Sequence, residues 1–211
     1  MTLPTPLTGP AYRIQTQRLV LRCWNPADVY LLKEAIEASI EHLRPWMPWI
    51  QNEPLELQAR IDLLRTWRSD FDSDRNYTYG IFDRDESRVL GGTGLHPRVG
   101  PGGIEIGYWI HAGEINQGLA SETAAALTQV AFELLDLERV EIHCDERNLR
   151  SAAVPRKLGY ALDGTLRQRK LRPGDDPANT MIWSLLRPEY EQSALKLTPV
   201  EAYDALGRRM L

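Results

Sequence analysis

Apolar residues along this chain recur with two different periods. Val29, Leu32, Ala35, Ile36 and Ile40 share one face of a helix running to about Leu43, with Asn25 as its cap and Pro26 in its first turn. Leu57, Ile61, Leu64 and Trp67 form a similar stripe over a second helix, from about Leu55 to Phe71. A third begins at Gly118 and runs to about Leu135, its apolar face carrying Leu127, Val130, Ala131, Leu134 and Leu135. Elsewhere the pattern is that of strands. Arg13 to Trp24 reads as the first strand, and Tyr77–Asp83, Arg88–His96 and Ile104–Ile110 as three antiparallel ones, with turns at Asp85-Glu86 and Val99–Gly103. Val140–Asp145, about Tyr160 to Arg167, and Asn179–Leu186 complete about seven strands, with a short helix starting at Asn148.

This order predicts an α/β (α+β) domain over residues 12–190, with a mixed, mostly antiparallel central sheet flanked by helices. Residues 1–11 read as a flexible leader, with neither signal peptide nor membrane anchor. Residues 191–211 read as a helical tail, because Thr198-Pro199-Val200-Glu201 has the form of a capping box with proline at the first helical position.

Composition narrows the function. A chain of 211 residues can bury a substantial core as one domain. Its net charge of -4 argues against a nucleic-acid binder, which needs a basic face, and mildly favours amine-bearing partners. Two distant cysteines, Cys23 and Cys144, form neither a disulfide framework nor a zinc spacing, so a cytoplasmic protein with reduced thiols and no metal is expected. His96, His111 and His143 have no partner spacing and read as structural. The Gly91–His96 run lacks the third glycine and following helix of a dinucleotide loop.

The candidate chemistry lies between Ile104 and Tyr160. Gly118, Ala120 and Ser121 are small residues at a helix start, where free N–H groups and the helix dipole favour an anion such as a pyrophosphate. Asn148 starts the next helix and can cap it or offer a donor and an acceptor to an amide-bearing ligand. Ser151 lies one turn on, and Arg147, Arg150, Arg156 and Lys157 surround this end.

Together, Gly118-x-Ala120 and Asn148-x-x-Ser151…Lys157-x-Gly159-Tyr160 resemble the GNAT superfamily of acetyl-CoA-dependent N-acetyltransferases. The Thr16–Arg22 opening, the RPWMPWI loop and the Glu105–Trp109 run are similar to its RimJ/RimL-type branch, which acetylates the N-termini of ribosomal proteins. The resemblance spans roughly residues 13–188 and implies a GNAT-like fold. It also implies that Asn116, Gln117, Gly118, Leu119, Ala120 and Ser121 hold the pyrophosphate of acetyl-CoA, although Ile115 stands at the family's Gln/Arg position. The pantetheine arm would run along Glu105–Ile110 with Asn148 beside it, Arg150 would meet phosphate, and an N–H near Ile110 would stabilise the thioester oxyanion. The tyrosine that many members use to protonate the thiolate is replaced by Pro155, which leaves Ser151 for the task. Glu105 is the implied general base.

Trp46 and Trp49 are candidate acceptor-binding residues, with Glu41 and Glu53 beside them favouring a cationic substrate. The expected reaction is direct acetyl transfer to a primary amine, most simply a protein N-terminus. Only about one α-amine in ten is neutral at pH 7, but only about one lysine in 2,500 is. A small-molecule amine acceptor, such as an antibiotic or polyamine, and a non-catalytic CoA-binding module are the alternatives. The protein is expected to act without nucleic acid or membrane, as a monomer or homodimer.

Overall fold

The computed structural model describes residues 9–172, 174 and 176–211. Most of the expected leader, residues 1–8, lies outside the described residues, but Ala11 is fully buried in the core. The predicted first strand is a hairpin, β1 (Arg13–Gln15) and β2 (Val20–Cys23). Thr16 turns it without glycine or proline, its hydroxyl accepting from the Leu19 N–H at 3.0 Å. Asn25 caps a single 3-10 turn, and α1 (Val29–Glu37) follows. The expected continuation to Leu43 is broken at Ser39, whose hydroxyl donates to the Ala35 carbonyl at 2.7 Å; α2 (Ile40–Leu43) is a separate turn.

After α3 (Leu57–Asp72) come β3 (Tyr77–Phe82), β4 (Val89–His96), β5 (Gly103–Ile110), α4 (Leu119–Glu133), β6 (Arg139–Asp145), α5 (Leu149–Lys157), β7 (Ala161–Leu171), β8 (Pro177–Leu186) and α6 (Arg187–Glu191). The tail opens with a 3-10 turn at Ala194–Leu197, but the segment expected to start a helix at Pro199 leads into a strand. Val200 and Ala202 point inward and Glu201 and Tyr203 outward, and β9 (Glu201–Tyr203) pairs antiparallel with β1. That alternation of period two, together with an open strand edge to bond, outweighs the capping box.

The sheet therefore has nine strands rather than seven, in the order β7-β8-β6-β5-β4-β3-β2-β1-β9. Among the described residues the β5–β6 pair alone is parallel. One face packs against α4 and the tail, with Leu127, Val130, Phe132 and Leu195 in its core. The other packs against α1 and α3 through Trp24, Leu32, Ile36 and Leu64. Burying such side chains at roughly 1.5–3 kcal/mol each fixes both helical layers to the sheet.

Candidate active site

The site begins where two neighbouring strands separate. β5 and β6 pair only at Gly103–Arg139, Ile104–Val140 and Glu105–Glu141. Beyond Glu105 each keeps its outer neighbour: β4 pairs β5 as far as Ile110, and β8 pairs β6 as far as Asp145. The two inner edges are thus left facing each other across a splay. The His111 N–H bonds the Leu90 carbonyl on the β4 side. By alternation, the backbone groups of Tyr108 and Ile110 face the splay, where an extended amide-bearing ligand can pair with them.

At one end of this opening, α4 begins on an uncapped turn. Asn116 (φ 62°) and Gly118 (φ 80°) are both left-handed, which turns the chain sharply into the helix. No side chain caps α4, so the N–H groups of Leu119, Ala120 and Ser121 remain for an anion. Arg18, which had no assigned role, reaches this turn from the β1–β2 hairpin. Its guanidinium bonds the Gln117 carbonyl at 2.9 Å and pairs with Glu122 at 2.6 Å. Its Nη2 would lie 3.7 Å from a Cβ placed on Gly118.

On the other wall, Asn148 Oδ1 accepts from the Ser151 N–H at 3.1 Å, which caps α5. One lone pair of that oxygen is therefore used, and the Asn148 NH2 group remains to donate to a ligand. Arg150, in the first turn of α5, is exposed. Pro155 lacks the N–H that would bond the Ser151 carbonyl within α5. The Tyr108 hydroxyl lies 3.2 Å from both that carbonyl and Ser151 Oγ. Burial pushes the Tyr108 pKa up, so its hydroxyl stays protonated at neutral pH. Tyr108 was legible only as part of a motif; the proline four residues after Ser151 was the signal that its carbonyl needed a partner. Cys144 also lines this region, and burial pushes its thiol pKa up.

The splay opens into a cavity of about 990 Å³ on the α1/α3 face. One end is ionic. Glu105 is not a water-facing strand residue but is 4% exposed. Arg98 clamps it through two hydrogen bonds of 2.7 and 2.8 Å, and Lys170 lies 3.9 Å away. Burial raises its pKa, but the Arg98 bond and the charges of Lys170, His143 and Arg98 outweigh that and hold it below the ordinary value. His143 and His96, expected to be structural, line the same cavity. His143 Nε2 donates to Glu141 at 2.6 Å, and its Nδ1 lies 3.5 Å from Glu105. His96 Nδ1 donates to the Asn76 amide oxygen at 2.7 Å, which leaves Nε2 unprotonated. Burial and the charges of Arg98 and Lys170 push the His96 pKa down to about 4.

The other end is aromatic, formed by Trp46 and Trp49 from the loop after α2 and by Trp24, Trp67 and Trp109. Neither acid expected to attract a cation is free to do so. Glu53, its side chain 2% exposed, is paired with the fully buried Arg60 at 2.6 Å, and Glu41 is 85% exposed and paired with Arg44. Among the described residues no group of three or more His, Cys, Asp or Glu could hold a metal ion, and no helix is long and apolar enough to cross a membrane.

A family model described as the acetyltransferase (GNAT) domain matches residues 18–161. The uncharacterized N-acetyltransferase YoaA of Bacillus subtilis is 26% identical over 176 residues, covering 83% of this chain and 97% of YoaA. The ribosomal protein uS5-alanine N-acetyltransferase of Escherichia coli is 25% identical over 162 residues, covering 74% of this chain and 81% of that enzyme. Among solved structures, Mycobacterium smegmatis RimJ in complex with CoA-disulfide superposes with a TM-score of 0.72 at 21% identity, covering 90% of this chain and 92% of RimJ.

Proposed function

The chain belongs to the acetyltransferase (GNAT) domain family and is an N-acetyltransferase, and from that premise we propose that it transfers acetyl directly from acetyl-CoA to a primary amine, a protein N-terminus first among them. The observation that carries this reading is the unpaired inner edge of β5, with the uncapped start of α4 at one end and the cavity opening beside Tyr108. Those residues fit a CoA thioester, which supplies an activated acetyl carbonyl when bound. The first turn of α4 would hold its pyrophosphate through Leu119, Ala120 and Ser121, with Asn116, Gln117 and Gly118 shaping the turn and Arg18 and Arg150 adding positive charge. Tyr108 and Ile110 would pair with the pantetheine amides, and the Asn148 NH2 would donate to one of them. The Ile110 N–H would be the donor to the thioester oxygen.

Ser151 is the proposed donor to the departing sulfur, and Tyr108 is its positioning residue. The buried Cys144 thiol has its pKa pushed up, and no described base activates it, so the transfer needs no acyl-enzyme. Glu105 is the proposed proton acceptor, acting through water. The Arg98 clamp makes it weakly basic, which an α-amine tolerates because roughly a tenth of it is already neutral at pH 7. The alanine acceptor named for the Escherichia coli relative supports an N-terminal amine here.

Calorimetry with acetyl-CoA and a thiol-release assay over N-terminal peptides, lysine peptides and small amines test the reading. N-terminal peptides are expected to react fastest. The limb of the pH–rate profile should follow the acceptor, moving up by about 2.5 pH units between an α-amine and a lysine. Glu105→Gln should lower the rate; a rate and profile that match the parent enzyme remove Glu105 from the reaction. Tight binding without thiol release from any amine would leave a CoA-binding module, and absence of CoA binding would overturn the reading altogether.

A further inference from the structure

Five of the six tryptophans line one cavity: Trp24, Trp46, Trp49, Trp67 and Trp109 surround the end away from the Glu105 cluster. We infer that this aromatic end is a subsite for a large apolar side chain on the same residue that presents the amine, so that the preferred acceptor begins with a residue such as phenylalanine or leucine. The inference rests on the amine-acetylation reading and specifies its acceptor.

Position argues for it first. Trp109 directly follows Tyr108, and the two side chains fall on opposite faces of β5. The aromatic end therefore starts one residue from the splay, within reach of the first side chain of an acceptor whose nitrogen meets the thioester carbon. Gly92 keeps that junction open. A Cβ there would lie 2.5 Å from Trp109 Nε1, so only glycine lets the indole lie against the sheet.

Charge argues next. The loop's one acid in the cavity, Glu53, is neutralised by Arg60, and Glu41 points away. Among the described residues a cationic side chain would find no free counter-charge at this end, whereas an apolar one would lose water to indole faces. The ionic end lies apart from it, with Glu105 already bonded by Arg98 and faced by Lys170. The cavity thus separates charge from apolar surface as an N-terminal hydrophobic residue does.

The walls are also fixed in advance. Ile50 is fully buried, the Glu53–Arg60 pair ties the loop to α3, and Trp49 meets Trp109 edge-on at 6.2 Å. A ligand entering such a slot has little loop ordering to oppose it.

Peptides differing only in their first residue decide the matter, assayed by thiol release at saturating acetyl-CoA. Phenylalanine and leucine peptides should exceed serine and alanine peptides in kcat/KM by at least about tenfold. Trp46→Ala should bring that ratio within about threefold, mainly by raising KM for the phenylalanine peptide. The ratio is taken within each variant, so a loss of folded enzyme does not move it. Serine or alanine peptides reacting as fast as phenylalanine peptides would overturn the subsite while leaving amine acetylation intact. If no amine releases thiol, the acetylation reading fails instead, and binding still tests the subsite. Intrinsic tryptophan fluorescence titrated with phenylalaninamide and serinamide should change with the first only, and equal responses would overturn it.

Discussion

Pro155 determines how Ser151 is held. Because it cannot donate to the carbonyl four residues back, Tyr108 reaches across from β5 and contacts both polar oxygens of Ser151. Tyr108→Phe removes that contact at a cost of ~1 kcal/mol in stability. It should lower kcat severalfold with little change in KM for acetyl-CoA; an unchanged kcat would show that Ser151 needs no positioning. His96 makes a second prediction. Its folded pKa of about 4 lies below the ordinary 6.5, so the unfolded chain binds the extra proton between those values. The stability tied to its neutral form is complete above pH 6.5 and is lost as pH falls toward 4, by ~3 kcal/mol in total. His96→Gln should flatten the denaturant-midpoint profile across that window, and a slope equal to that of the parent protein would contradict it. Glu105 loses its contribution only at lower pH, since its pKa is held down. Neither the tyrosine contact nor the histidine burial can be read along the chain, because each partner lies at least twenty residues away.

Among elements, the start of α4 and the loop before α3 carry the largest consequences. Gly118 sits at φ 80°, where a Cβ costs roughly 1–2 kcal/mol. Gly118→Ala should therefore lower stability by about that amount and raise KM for acetyl-CoA about tenfold more than it changes kcat. Steady-state kinetics with varied acetyl-CoA would check this. The Glu53–Arg60 pair is buried at both ends. Arg60→Leu leaves Glu53 charged and unpaired, and the expected loss is ~3–5 kcal/mol, measured by chemical denaturation. Replacing both residues by leucine should recover most of it. Periodicity and capping residues made α3, α4 and the start of α5 legible to within a few residues, and the strand pattern did the same for β3 to β6. The failures are instructive. Ser39 ended α1 through a hydroxyl bond to Ala35, and Thr16 made a hairpin turn with no turn residue in sight. Both are side chain–backbone bonds whose use depends on what the neighbouring segment offers.

At the scale of the whole molecule, the tail completes the sheet. β9 covers the edge of β1, and Leu195, Val200 and Ala202 join the main core. A chain ending at Gln192 should lose several kcal/mol, at roughly 1.5–3 kcal/mol for each large apolar side chain exposed. It should also self-associate through the bared β1 edge. Light scattering and thermal melting would show both, and an unchanged, monodisperse melt would show the tail to be dispensable. The sequence by itself determined the order of elements from α3 to β8, because hydrophobic period, caps and left-handed glycines act within a few residues. It also marked the turn into α4 and the start of α5, since Gly118 and Asn148 act on nearby backbone. Only the tertiary structure decided the lining of the cavity. Which carboxylates are neutralised, which histidines line the cavity, and how five tryptophans from four parts of the chain share one wall depend on distant segments meeting. Electrostatics and burial act through space, and sequence spacing does not record them.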